Sequence, residues 1–181
     1  NFLINTILIS SALYLFFITL RDFFSKRFKN LAQNTAHFGF SLLILSILFN
    51  SLFSSEIITN LKVGQTFENT KAKIVFESLS QKEGENYKSI IGNFIVQDSK
   101  GKIENLSPEL RIYNQPNITT SEADIKTTLL SDKFIVINLV QNQEFFNVRY
   151  QVKPFMLWIW ISVILISFGG LISFVKKEYE K

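Results

Sequence analysis

Three long stretches without a charged side chain constrain this chain more than any other feature. They run from Phe2 to Leu20, from Leu31 to Phe53 and from Phe155 to Val175, and His37 is the one histidine in them. About 20 predominantly apolar residues are needed to cross a hydrocarbon core about 30 Å thick. A helix buried in a soluble core normally keeps one polar face. The third stretch, FMLWIWISVILISFGGLISFV, offers nothing more polar than Ser and Gly. All three are read as membrane-spanning helices, at about 2–20, 31–53 and 155–175. Bulk composition agrees, since 47% of the 181 residues are hydrophobic and 19 are Phe, which is too apolar for an ordinary soluble domain.

Charge sets the orientation. The loop after the first span, RDFFSKRFKN, holds Arg21, Lys26, Arg27 and Lys29 against Asp22. The tail KKEYEK holds Lys176, Lys177 and Lys181 against Glu178 and Glu180. Residues 54–153 carry equal numbers of acidic and basic side chains, so the net charge of +4 comes from the loop and the tail. Short Lys/Arg-rich loops stay cytoplasmic. Residues 1–53 then form two spans joined by a basic cytoplasmic loop. Residues 54–153 form an extracytoplasmic domain, and residues 154–181 a third span with a basic cytoplasmic tail. A nucleic-acid binder would place its basic excess on the folded domain, so that class is excluded. The chain has no cysteine, hence no disulfide and no thiol exchange of its own. It opens on Asn1 inside an apolar stretch, and is expected to be part of a longer or split protein.

The domain between the second and third spans reads as strands. KIVFESL, IIGNFIVQD, KIENL, LRIYN, DKFIVINLV and FFNVRYQV are β-branched or aromatic runs with partial alternation. Asp98-Ser99-Lys100-Gly101 reads as a hairpin turn. Ser121 to Leu130 is expected to be a short helix, capped by Ser121 with Asp124 three residues on. The fold class is therefore an α+β membrane protein, with three transmembrane helices and a small, mainly antiparallel β sandwich or barrel outside the cytoplasm. The domain contains no His and no Gly-rich phosphate loop. Glu83 and Glu85 fall in QKEGEN, which reads as a solvated loop. The domain reads as a docking module.

His37 has the most chemical leverage, because ionisable residues inside a membrane are costly and usually functional. Asn34, His37 and Ser41 share one helix face, expected to turn toward protein. Three roles stay open: axial ligand to a haem iron, hydrogen-bonding glue between helices, or proton relay. A relay lacks carboxylate partners in the spans. His37 lies roughly 9 Å in from the cytoplasmic edge. Met156 is at the opposite mouth, about 20 Å away in depth, and cannot be a second ligand to the same iron. Ser162, Gly169 and Ser173 form a small-residue stripe on the third span, expected to admit another helix closely. Trp158 and Trp160 read as interfacial aromatics.

Four segments carry a family resemblance: AHFGFSLLILSI (Ala36 to Ile47), PELRIY (Pro108 to Tyr113), TTSEADIKTTLLSDKFIVINL (Thr119 to Leu139) and KPFMLWIWISVILISFGGL (Lys153 to Leu171). In order and spacing the chain resembles the C-terminal part of the CcmF family of cytochrome c-type biogenesis proteins, the cytochrome c haem lyases. The resemblance implies a membrane component that holds a b-type haem and assists covalent haem attachment to the Cys-x-x-Cys-His motif of apocytochrome c. It implies His37 as an axial ligand of that haem iron, with haem b as cofactor. The implied partners are the haem chaperone CcmE, apocytochrome c with its CcmH-like thiol-handling protein, and the remaining part of CcmF. The implied location is a bacterial inner membrane, or the mitochondrial inner membrane for an organelle-encoded form.

The chain lacks the family's tryptophan-rich haem-handling segment with its flanking histidines, and lacks the second intramembrane histidine ligand. Alone it is expected to be inactive, as a C-terminal fragment or a separately encoded subunit. The competing class is a non-catalytic membrane scaffold or transport accessory subunit, with His37 as a structural helix contact.

Overall fold

The computed structural model describes residues 2–24, 31–140 and 144–179. The chain divides into two compact units. The first comprises residues 1–54, 128–132 and 153–181, and the second comprises residues 55–127 and 133–152.

The first unit contains three long helices: α1 (Phe2–Phe24), α2 (Leu31–Phe53) and α3 (Met156–Tyr179). Each is long and apolar enough to cross a membrane, over Leu3–Phe24, Leu31–Phe53 and Met156–Val175. In hydrocarbon every backbone polar group must be satisfied internally, which selects helix for these segments. Of the charges used for orientation, Lys26, Arg27, Lys29, Glu180 and Lys181 lie outside the described residues.

α2 is the central helix, and its small residues make it so. Thr35, Gly39, Ser41, Leu42, Leu45 and Ser46 are its buried positions. A Cβ on Gly39 would lie 3.0 Å from the backbone nitrogen of Ile166. A Cβ on Gly169 would lie 2.7 Å from the nitrogen of Ala36 and 2.8 Å from the carbonyl oxygen of Ala32. The expected small-residue stripe on α3 is therefore occupied, at Gly169, by α2 of the same chain. Ser173 lies exposed. Toward α1, Thr19 and Ser41 share a hydroxyl–hydroxyl hydrogen bond of 2.6 Å. The Phe38 ring stacks on Phe23 at 5.1 Å. Such polar contacts stand in for the hydrophobic drive that is missing between helices in lipid.

The second unit is a two-layer antiparallel sandwich. Its strands are β1 (Ser55–Leu61), β2 (Thr66–Glu68), β3 (Ala72–Glu83), β4 (Tyr87–Asp98), β5 (Ile103–Leu106), β6 (Glu109–Tyr113), β7 (Thr119–Glu122), β8 (Asp124–Thr127), β9 (Ser131–Leu139) and β10 (Phe146–Pro154). One sheet runs β1-β10-β9-β8, and the other β2-β3-β4-β6-β7 with β5 also on β4. Alternation sends Ile74 and Phe76, Phe94 and Val96, Ile135 and Ile137, and Phe146 and Val148 into one core. Phe76 stacks on Phe94 at 4.3 Å, and Phe146 meets Phe76 edge-on at 5.5 Å. The Asp98–Gly101 turn forms as expected. Gly101 takes a φ of 81°, and Asp98 accepts from the backbone nitrogens of Lys100 and Lys102.

Two local expectations are corrected. Ser121–Leu130 is not a helix: Thr119–Glu122 pairs antiparallel with β6, and Asp124–Thr127 is the next strand. Sheet pairing outweighs a weak capping signal over β-branched Thr and Ile. Glu83 ends β3, paired with Lys88, and only residues 84–86 form the loop.

Candidate functional site

The polar stripe of α2 splits in the structure. Asn34 donates its side-chain amide to the Asp22 carbonyl at 2.8 Å. Ser41 is fully buried, donates to the Phe38 carbonyl at 2.8 Å and bonds Thr19. His37 is exposed instead, and among the described residues nothing hydrogen-bonds its imidazole. It lies on an outward face with Gln33, Phe40 and Ile47, also exposed. The polar contacts of α2 inside this unit are made by Asn34 and Ser41 toward α1, and by Asn50 toward the residues that precede α3. Asn50 donates to the Pro154 carbonyl at 2.7 Å.

This arrangement leaves the imidazole of His37 available to a ligand or to a further segment. An imidazole on an apolar helix face, with neither nitrogen hydrogen-bonded among the described residues, can present a lone pair to a metal. Met156 is not placed to assist. Its sulfur lies 4.0 Å from the amide of Asn50, and Asn50 is thirteen residues beyond His37 on α2, about 20 Å of helical rise. A cavity of about 210 Å³ is lined by Phe16, Leu42, Leu45, Ser46, Phe49, Phe155 and Trp158. It excludes His37 and is smaller than the roughly 300 Å³ at which small-molecule pockets begin.

Outside the helices, no group of three or more metal-type ligands occurs among the described residues. The sandwich does hold a charged cluster. Lys133 lies 3.0 Å from Glu104 and 3.2 Å from Asp98, and Lys102 lies 2.7 Å from Glu104. The Glu104 side chain is 3% exposed and that of Lys133 10%. Burial pushes the Glu104 carboxyl up, but hydrogen bonds and charge from Lys102 and Lys133 more than offset this and hold it below the usual range. Asp98 is likewise held low: burial raises it, while bonds from Lys102, Lys133 and Lys100 prevail. Burial, followed by the charges of Glu104 and Asp98, pushes the Tyr150 phenol up. With two cations facing two anions, the cluster is a staple between the sheets and has no spare base. The sequence carried a signal for it, because Lys133 shares the inward alternation of Ile135 and Ile137, and Glu104 that of Leu106.

Comparison with known proteins accounts for this combination of helices and sandwich. A family described as CcmF C-terminal beta-sandwich matches residues 52–154. The cytochrome c-type biogenesis protein CcmF of Pseudomonas aeruginosa is 28% identical over 145 residues, covering 80% of this chain and 22% of that protein. The cytochrome c-type biogenesis protein ccl1 of Rhodobacter capsulatus is 31% identical over 145 residues, with the same coverage. NrfE of Haemophilus influenzae, another cytochrome c-type biogenesis protein, is 25% identical over 178 residues, 97% of this chain and 28% of its own. The chain thus spans about a fifth to a quarter of the length of these relatives. A solved structure of cytochrome c heme lyase CcmF shares the fold over 86% of this chain and 27% of its own, with a TM-score of 0.63 and 16% identity. The sandwich, the flanking apolar helices and the matched residues together place the chain in the CcmF family, of which it carries the C-terminal β-sandwich.

Proposed function

We propose that this chain is the C-terminal component of a cytochrome c haem lyase, and that His37 supplies one axial ligand to a b-type haem held in the membrane. The observation that carries this reading is the exposed imidazole on α2, with no hydrogen-bond partner among the described residues. A titratable side chain on an apolar span is costly against lipid, so protein or cofactor covers that face. A haem iron accepting the imidazole would supply an electron-transfer centre next to the site of haem attachment.

The chain's own residues then do three things. His37 offers one nitrogen to the iron and leaves the other as an N–H donor for a neighbouring segment. Phe38, stacked on Phe23, and Ser41, bonded to Thr19, fix the rotation of α2 that turns His37 outward. The apolar residues Phe40 and Ile47 on the same face exclude water. The second ligand comes from the remaining part of CcmF. The three spans lie in the inner membrane, with the basic loop and tail in the cytoplasm and residues 54–153 outside it. The sandwich docks CcmE and the CcmH-like protein that presents apocytochrome c.

The test is an absorption spectrum of the purified assembly with His37 and with His37→Ala. The expected result is loss of the low-spin bis-histidine signal in the variant, with cytochrome c maturation falling at least tenfold. A bis-histidine signal unchanged in the variant would remove His37 from the site.

A further inference from the structure

The turn joining β8 to β9 belongs to the helical unit, since residues 128–132 cluster with the three helices. It is closed on itself. Thr128 donates its backbone N–H to the Ser131 carbonyl at 3.0 Å, and its hydroxyl to the same carbonyl at 2.7 Å. The Ser131 N–H donates back to the Thr128 hydroxyl at 3.1 Å. The two residues at the tip are Leu129 and Leu130, 69% and 67% exposed.

This tip is fastened to the first turn of α3 by two hydrogen bonds. Trp158 donates its indole N–H to the Leu129 carbonyl at 2.7 Å. Phe155 donates its backbone N–H to the Leu130 carbonyl at 2.9 Å. Phe155 is a bulky residue at a φ of 59°, a conformation that costs energy for anything but glycine and persists only where surroundings enforce it. The surroundings here are the bond to Leu130, the Phe49 ring at 5.2 Å, and the amides of Trp158 and Ile159 that donate to the Phe155 carbonyl. The depth of the turn is thereby fixed. The Leu129 carbonyl is held by the side chain of Trp158, a residue about 3 Å of helical rise into a span that is apolar from Met156 to Val175.

Indole rings collect at the membrane–water boundary, where an apolar body and a polar N–H are both accommodated. Scattered exposed leucines need no explanation. Two adjacent ones, bonded through their carbonyls to an interfacial tryptophan and to the residue that opens α3, form a patch that matches lipid.

We propose that Thr128–Ser131 is a membrane-interface wedge, with Leu129 and Leu130 immersed in the acyl-chain boundary of the leaflet that α3 enters. The occupant of this surface is lipid, because the turn is bonded to the mouth of a membrane span. Its function is to seat the 128–132 turn of the helical unit in the bilayer interface beside the start of α3.

The chain has no cysteine, so a single fluorophore can be placed by Leu130→Cys, with Lys100→Cys in the β4–β5 turn as comparison. The full chain is reconstituted in phosphatidylcholine–phosphatidylglycerol nanodiscs. Quenching is read with lipids spin-labelled near the top of the acyl chain, and with aqueous iodide. The expected result is at least threefold stronger lipid quenching at 130 than at 100, and at least threefold weaker iodide quenching. Equal iodide quenching at both positions would put the turn in water and overturn the proposal. Protection of position 130 from both quenchers would mean that protein covers it, and would overturn it equally.

Discussion

Gly169→Leu is expected to separate α2 from α3, while Gly170→Leu, one residue on, is expected to leave the helical unit intact. The reason is backbone geometry. A Cβ at 169 would lie 2.7 Å from the Ala36 nitrogen and 2.8 Å from the Ala32 carbonyl oxygen. Neither atom can rotate away, so the whole 32–36 turn of α2 must move. Overpacking in a tight core costs about 1–3 kcal/mol, with backbone clashes at the upper end or beyond. A Cβ at 170 meets nothing within 4 Å, and a substitution facing open space changes stability by about 0.5 kcal/mol or less. The check is a thermal melt of the full chain in nanodiscs, followed by helical circular dichroism. A large drop for Gly169→Leu alone is expected, and equal melting of the two variants would refute the packing. His37 follows Ala36 directly, so the same displacement tilts the imidazole. If His37 ligates haem, Gly169→Leu weakens the haem signal with no ligand removed, and Gly170→Leu does not.

Much of the fold is legible in the residues, because two of its causes are local. An uncharged run of twenty residues has few alternatives to a membrane helix. Period-two alternation in Ala72-Ile74-Phe76 or Lys133-Ile135-Ile137 points one face inward whatever the partner strand is. What stays hidden depends on partners distant in sequence. Ser121–Leu130 carries a capping signal, yet β6 supplies a strand edge that claims its first residues. The stripe at Gly169 announces a close helix, but the stripe alone does not identify that helix as α2. Asn34, His37 and Ser41 share a face by spacing, and only packing shows that α1 engages two of them and leaves His37 outside. That division carries the functional reading, and it turns on offsets of only about 40–60° around the helix axis. Phe155 at positive φ has no sequence signature, since glycine or asparagine is the residue usually associated with that conformation.

Lys133→Met is expected to be the most damaging single change in the sandwich. It leaves Glu104, 3% exposed, facing Asp98 with only the outer cation Lys102 to compensate. Removing one member of a buried ion pair costs about 3–5 kcal/mol, since the other charge remains buried without it. For a domain of about a hundred residues this lowers the melting temperature by roughly 15 °C or more. Pairing Lys133→Met with Glu104→Leu should restore most of the loss, because exchange of a buried pair for apolar residues is often neutral or better. Asp98 survives in the double variant on the backbone N–H groups of Lys100 and Lys102. The pH dependence has a definite sign. Glu104 and Asp98 titrate in the folded state below their ordinary values of 4.5 and 3.8. The stability they confer is therefore fully present above about pH 4.5 and is lost as pH falls through the lower folded values. The gap between wild type and Lys133→Met should be widest near neutrality and shrink below pH 4.5. Melts of the full chain at pH 7 and pH 3, read at the β-sheet signal, measure both effects. A gap that stays constant between these pH values would show that Lys133 stabilises through its aliphatic stem rather than its charge.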